Sequence, residues 1–106
     1  LTLFFALSQK AVFSETIGDL VKRNGLYYKK NSDIPFSGEV TGQYHGSYKN
    51  GKAEGPWVFY YPNGQLYSKG NYKDALQDGP WITYNIDGTI NTQDTGIYKN
   101  GKKISD

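Results

Sequence analysis

The 106-residue chain contains no cysteine, no methionine and a single histidine. Without cysteine it can form neither a disulfide bond nor a thiolate metal site. His45 has no second histidine or cysteine with which to share a metal ion or to activate a nucleophile. We therefore expect His45 to be exposed at a loop or strand edge, and we expect no cofactor, no metal and no enzymatic activity.

Long runs of one charge and long apolar runs are also missing. The 12 basic residues are scattered among 10 acidic ones, and the net charge is only +2. Proteins that bind nucleic acid usually concentrate basic charge on one patch, so no nucleic-acid partner is expected. The apolar stretch at residues 1–7 is much shorter than the roughly 20 residues of a membrane-spanning helix.

The N-terminal residues 1–14 differ in composition from the rest of the chain. A short apolar stretch is followed by small residues and by Val12-Phe13-Ser14, an arrangement that resembles the hydrophobic and cleavage regions of a secretory signal peptide. This interpretation predicts a periplasmic or secreted protein. The alternative is an apolar strand or short helix that caps the domain, in a protein that stays in the cytoplasm.

Helix-forming residues are scarce where the rest of the sequence is most regular. Ala, Leu and Glu are few after residue 20, whereas aromatic residues make up 16% of the chain and there are 13 glycines. Aromatic and β-branched residues favour strands, and glycine-rich dipeptides favour tight turns. The composition predicts an all-β protein.

The sequence GPWVFYYPNG at residues 55–64 returns as GPWITYNIDG at residues 79–88, an offset of 24. The period defines units at residues 46–69 and 70–95 and a partial unit at residues 96–106. The third copy lies 26 positions after the second, because two residues are inserted near residues 92–95. A fixed period of this length predicts an array of stacked β-hairpins. Residues 15–45 are expected to form a lead-in and a capping hairpin between residues 24–29 and 35–40.

Asn-Gly and Asp-Gly dipeptides mark the predicted turns, since both residues tolerate positive φ. Lys49-Asn50-Gly51-Lys52 and Lys99-Asn100-Gly101-Lys102 are two such turns. The middle copy reads Lys73-Asp74-Ala75-Leu76. Alanine adopts positive φ less readily than glycine, so this turn should be of another type or strained.

Side chains alternate across a strand, so Trp57, Phe59 and Tyr61 should share one face and Val58 and Tyr60 the other. Positions that keep their character between units are expected to form the core, namely Val58, Tyr60, Ile82, Tyr84, Leu66, Ile90, Tyr48, Tyr72 and Tyr98. The face of Phe59 varies between units and is expected to be open. Trp57 and Trp81 are expected to cover strand ends and glycines of the next unit.

The pattern Gly-x-Tyr-Lys-Asn-Gly-Lys-x-x-Gly-Pro-Trp, seen at residues 46–57, resembles variant MORN repeats of the YwqK-type antitoxin family. The resemblance covers residues 20–106. It implies an elongated single-layer antiparallel sheet, with one hairpin per repeat, that binds or scaffolds other molecules without chemistry of its own. For an antitoxin it implies a toxin protein as the partner.

The aromatic residues on the open face are the candidate binding residues. Phe59, Tyr61 and Tyr67 occupy positions that the second unit leaves polar, and Trp57 and Trp81 lie beside them. Large aromatic side chains anchor many protein interfaces. We expect these five residues to bind a partner protein in the cell envelope. The alternatives are an antitoxin, a lipid- or glycan-binding module, and association between free sheet edges.

Overall fold

The computed structural model describes residues 14–106, so the predicted signal peptide lies, except for Ser14, outside the described residues. This part of the chain is all-β, as predicted, and has one short 3-10 turn at Ile17–Asp19. The strands are β1 (Glu15–Thr16), β2 (Leu20–Arg23), β3 (Leu26–Lys29), β4 (Gly38–Thr41), β5 (Tyr44–Lys49), β6 (Lys52–Tyr60), β7 (Leu66–Lys73), β8 (Leu76–Thr83), β9 (Gly96–Lys99) and β10 (Lys102–Ser105).

Eight strands form one mixed sheet in the order β1-β4-β5-β6-β7-β8-β9-β10, and β2 pairs with β3 in a separate two-stranded sheet. Only the β1–β4 pairing is parallel. From β4 onward each strand pairs antiparallel with the next strand in the chain. The described residues span 51 × 32 × 22 Å.

The predicted N-terminal hairpin has different strands from those expected. The turn at Asn24-Gly25 joins β2 to β3, and the only pairing between residues 24–29 and 35–40 is the isolated bridge from Tyr28 to Pro35. Asn24 and Gly25 both have positive φ, 52° and 82°, which is the conformation of a tight hairpin turn. They therefore form the turn between two strands, whereas the sequence pattern placed them at the start of a strand. Residues 38–40 pair with β5 in the large sheet.

The four two-residue turns share one geometry. Asn50 and Gly51 have φ of 51° and 82°, and the turns at residues 24–25 and 100–101 are nearly identical. Asp74 and Ala75 adopt the same conformation, with φ of 51° and 69°. The expectation of a different turn type was therefore wrong, and the alternative expectation of strain holds, because an alanine occupies the left-handed region.

The repeated Gly-Pro-Trp motif forms a β-bulge in both complete units. Opposite Gly46, the pairing of β5 with β6 jumps from His45–Val58 to Ser47–Glu54, so residues 55–57 face a single glycine. Opposite Gly70 the pairing of β7 with β8 makes the same jump. Positive φ at Gly55 and Gly79 permits the bulge, and proline is tolerated there because it need not donate to the ladder.

The prediction of the buried face was wrong for the central residues of the two units. Trp57 and Trp81 are each only 3% exposed. Val58, Tyr60, Ile82 and Tyr84 are merely half-buried, and Ile90 is 50% exposed. Tyr48 is buried, and Tyr72 and Tyr98 pack against the same core, as expected.

The bulges explain this burial, because they place each indole ring against a glycine. A Cβ on Gly46 would lie 2.1 Å from Cδ2 of Trp57, and one on Gly70 would lie 2.2 Å from Cδ2 of Trp81. The rings cover glycines, as expected, but each glycine begins the same unit as its tryptophan and not the next. The indole N–H groups donate to the carbonyls of Ser47 and Asn71, at 3.1 and 2.9 Å.

The two-residue insertion forms a loop at residues 91–95 that replaces part of a strand. Asn91 Oδ1 accepts hydrogen bonds from the backbone N–H groups of Gln93 and Asp94. Thr95 Oγ1 accepts from the Thr83 N–H at 2.9 Å and donates to the Thr83 carbonyl at 3.1 Å. The hydroxyl of Thr95 thus satisfies backbone groups that a continuous strand would have paired.

Candidate ligand-binding face

Six aromatic rings run across the large sheet and onto the small hairpin. One ring comes from each of six strands, β3, β5, β6, β7, β8 and β9, and successive centroids are 5.0, 5.2, 5.9, 5.1 and 6.5 Å apart. The rings belong to Tyr27, Tyr48, Trp57, Tyr72, Trp81 and Tyr98. Such tilted and edge-on contacts are the favourable arrangement for aromatic pairs. We call this surface the aromatic face.

Phe59 lies between the two tryptophans on this face. Its ring stacks on Trp57 with a centroid distance of 5.8 Å and on Trp81 with a distance of 6.2 Å. Tyr44 contacts the edge of Phe59 at 5.4 Å. The phenylalanine therefore links the aromatic rings of the first and second units, although the second unit has Thr83 at its own equivalent position.

Two adjacent grooves lie on the aromatic face. The large groove has a volume of about 600 Å³ and is lined by residues of 43–98, among them Tyr61, Tyr67 and Trp81. The small groove, of about 290 Å³, lies where the β2–β3 hairpin meets the large sheet, and Tyr27, Tyr48 and Trp57 contribute to its wall. Tyr44, Phe59 and Tyr72 line both grooves, so the two are adjacent.

A third bulge, between β6 and β7, positions Tyr67 in the large groove. The pairing of β6 with β7 jumps from Phe59–Ser68 to Tyr60–Leu66, which leaves Tyr67 without an opposite residue. Bulges of this kind redirect a side chain. The Tyr67 ring is 41% exposed and contacts Tyr61 at a centroid distance of 4.9 Å. The Tyr61 hydroxyl donates to the Tyr84 carbonyl at 2.6 Å, which fixes one side of this pair.

The tyrosine hydroxyls of the two grooves differ in their hydrogen bonds. Tyr98 donates to the Asp94 carbonyl at 2.7 Å. The hydroxyls of Tyr48 and Tyr72 make no hydrogen bond to any residue within 14–106. Burial raises the pKa of both phenols, and the neighbouring Tyr27 raises each of them further. Both groups therefore stay protonated at neutral pH and are available as hydrogen-bond donors.

The five predicted binding residues are brought to the same face but with different exposure. Phe59, Tyr61, Tyr67 and Trp81 line the large groove, and Trp57 lines the small one. The two tryptophans are almost fully buried, so each lines its groove with only a small part of its surface. Sequence reasoning did not include Tyr44 among the binding residues, and it placed Tyr48 and Tyr72 in the core alone. Tyr48 and Tyr72 occupy equivalent positions of the two units, and this recurrence could have marked them as candidate binding residues.

Groups that would indicate chemistry are sparse in the described part of the chain. His45 is exposed on β5, as expected, and lines neither groove. Residues 14–106 contain no cluster of three or more His, Cys, Asp or Glu side chains that could hold a metal ion. Over the same residues there is no helix with the length and hydrophobicity needed to cross a membrane.

Comparison with known proteins gives no relative. The chain matches no family model, no curated protein and no solved structure.

Proposed function

We propose that this protein is a non-catalytic binding module whose aromatic face holds an extended segment of a partner protein. The observation that carries the proposal is the pair of adjacent grooves that share Tyr44, Phe59 and Tyr72. In this proposal the units at residues 46–69 and 70–95 are MORN-like repeats in a single-layer array. A toxin protein or a protein of the cell envelope would be a partner of this kind.

The shape and chemistry of the face favour a peptide segment. From β5 to β9 the face crosses five adjacent strands, a distance of roughly 19 Å at the usual spacing between strands. Tyr44 and Tyr67 are 37% and 41% exposed, so both can contact a ligand without a change in the fold. Tyrosine contributes a large contact area at a low entropy cost, which is typical of surfaces that bind protein.

The same face offers little for catalysis. Its large groove contains one ionisable carboxyl, that of Asp94, and no histidine. Acid–base catalysis usually needs a second ionisable group near the first, and among residues 14–106 the large groove has no other carboxyl and no histidine beside Asp94. This arrangement supports binding as the role of the grooves.

The proposal predicts that Tyr67→Ala weakens binding with little effect on the fold. Peptides would be selected against the wild-type protein from random libraries, some displayed with a free C-terminus and some embedded in a carrier. We expect Tyr67→Ala to lower the affinity of the selected peptides at least about tenfold, because an exposed aromatic anchor is lost. Isothermal calorimetry gives the affinity and thermal unfolding gives the stability.

Tyr28→Ala is the matched control, since Tyr28 lines neither groove. We expect it to leave the affinity within about twofold of wild type, which is a free-energy change of about 0.4 kcal/mol. Two results would contradict the proposed function. One is that no peptide is enriched from any library, and the other is that Tyr28→Ala and Tyr67→Ala weaken binding equally.

A further inference from the structure

The two adjacent grooves differ in charge at their outer ends. Among residues 14–106, Lys22 is the one charged residue that lines the small groove, and Asp94 is the one charged residue that lines the large groove. Both side chains belong to exposed residues. Lys22 Nζ lies 5.7 Å from the centroid of the Tyr27 ring, which keeps the cation beside the small groove. A ligand that fills both grooves therefore meets a positive charge at one end and a negative charge at the other.

The small groove also contains two donor hydroxyls that have no acceptor among the described residues. Tyr48 is only 7% exposed, and its hydroxyl has no hydrogen-bond partner within residues 14–106. Tyr72 lines the junction of the two grooves and likewise donates to none of these residues. A buried donor without a partner destabilises the protein, so a ligand that supplies an acceptor here removes that cost on binding.

A carboxylate fits this end of the grooves better than a neutral acceptor. Its two oxygens accept only, and together they can take several hydrogen bonds. Hydrogen bonds to a charged acceptor are about twice as strong as neutral ones. The cation of Lys22 would offset part of the cost of removing the carboxylate from water. No acidic residue lines the small groove to repel it.

We infer that the aromatic face binds the C-terminal end of an extended polypeptide. The terminal carboxylate enters the small groove, where the hydroxyls of Tyr48 and Tyr72 donate to it beside Lys22. The preceding residues cross Phe59 into the large groove, where a basic residue about five positions upstream meets Asp94. About six extended residues cover the roughly 19 Å of the face. This inference rests on the proposed function and adds the direction and end group of its ligand.

The test compares two display libraries of six random residues. In one library the random residues end the carrier protein with a free carboxylate, and in the other they are followed by a Gly-Ser linker. We expect enrichment on the wild-type protein from the first library alone. The enriched sequences would then be synthesised as matched pairs, with a C-terminal acid or a C-terminal amide, and their affinities measured by fluorescence anisotropy.

The acid form should bind at least about tenfold more tightly than the amide, which corresponds to about 1.4 kcal/mol. In the double variant Tyr48→Phe with Tyr72→Phe this ratio should fall to between one and two, since both rings remain and only the donors are lost. Tyr84→Phe is the matched control outside both grooves, and it should keep the wild-type ratio. Thermal unfolding of each variant checks that the fold is intact.

The outcomes separate this inference from the proposed function. If embedded peptides are enriched equally and depend on Tyr67, the inference is wrong while the binding function stands. If acid and amide bind equally, or if the preference persists in the double variant, the inference is also wrong. If neither library is enriched, both the inference and the proposed function are wrong.

Discussion

At the scale of single residues, the fold depends on two glycines that lie under tryptophan rings. Gly46 and Gly70 leave no room for a side chain, because an added Cβ would lie within 2.3 Å of two indole atoms in the first case and within 2.4 Å in the second. The indole cannot move away easily, since its N–H is bonded to a backbone carbonyl on the neighbouring strand. The burial of both tryptophans therefore depends on a missing methyl group.

We predict that Gly70→Ala destabilises the protein by about 3 kcal/mol, the upper part of the usual range for overpacking a core. Chemical unfolding followed by tryptophan fluorescence measures this change, because Trp81 is itself displaced. Gly18→Ala is the matched control: its Cβ would have 3.9 Å to the nearest atom, so the change should stay below about 1 kcal/mol. A Gly70→Ala protein as stable as Gly18→Ala would contradict the proposed packing.

The buried hydroxyl of Tyr48 predicts a loss of stability in alkali. Burial raises the pKa of this phenol in the folded protein, whereas an unfolded tyrosine has a pKa of about 10. Below pH 10 both states are protonated and the pH has no effect through this group. Above pH 10 the unfolded state loses its proton first, so the free energy of unfolding falls by up to about 1.4 kcal/mol per pH unit.

The measurement is urea unfolding between pH 9 and 11.5 for wild type and Tyr48→Phe. The variant lacks the titrating group, so its free energy of unfolding should fall less steeply with pH above pH 10. The difference between the two slopes should correspond to about one proton. Parallel slopes for wild type and Tyr48→Phe would show that this hydroxyl ionises equally in both states.

At the scale of elements, the hairpin turns show that one turn conformation can form with alanine in place of glycine. The turn at Asp74-Ala75 keeps the conformation of the Asn-Gly turns, although alanine replaces glycine at φ 69°. Its position is fixed from outside by two hydrogen bonds, from Ala75 N–H to the Ala53 carbonyl and from Asp74 N–H to Glu54 Oε1. These contacts to the preceding unit hold a residue in a region that it would otherwise avoid.

Ala75→Gly should therefore stabilise the protein by about 0.5–1 kcal/mol. The left-handed conformation costs alanine roughly 1–2 kcal/mol, and glycine avoids this cost. Glycine also loses more conformational entropy on folding than alanine does, so the net stabilisation is smaller. The opposite change at the equivalent turn, Gly101→Ala, is the matched control. Its Cβ would meet nothing closer than 3.4 Å, so the only cost is that of placing alanine at positive φ, and the destabilisation should be of similar size. Urea unfolding of the two variants gives both values, and an unchanged or lower stability of Ala75→Gly would rule out strain at this turn.

The sequence predicted the elements of the repeats well and their faces poorly. Asn-Gly turns and the 24-residue period located the strands of both units, since these signals are local. Alternation groups Trp57 with Phe59 and Val58 with Tyr60 but does not say which group is buried. The Gly-Pro-Trp bulge decides that question, because it brings each indole over a glycine on another strand. The strands of the first hairpin depended likewise on long-range pairing that the local pattern did not reveal.

At the scale of the whole molecule, the candidate site is a product of the sheet and not of any one unit. The large groove takes Tyr44 from β5, Phe59 from β6, Tyr67 from β7 and Trp81 from β8. The sequence identified aromatic residues of the site by comparing units, and four of its five candidates line the large groove. It could not identify the small groove, because that groove forms only where the β2–β3 hairpin, outside the repeats, meets β5 and β6.

The contact between Trp81 and Gly70 repeats, within the second unit, the contact between Trp57 and Gly46 in the first. Gly70 is covered by the ring of its own unit, while its backbone lies opposite Trp57 of the unit before. A duplicated copy of residues 46–69 would bring its own tryptophan and its own glycine, so the contact between them would form again within the added copy. Each added unit would extend the sheet by two strands, or roughly 10 Å. In a chain with more units of this kind, the aromatic face would lengthen by two strands for each unit added.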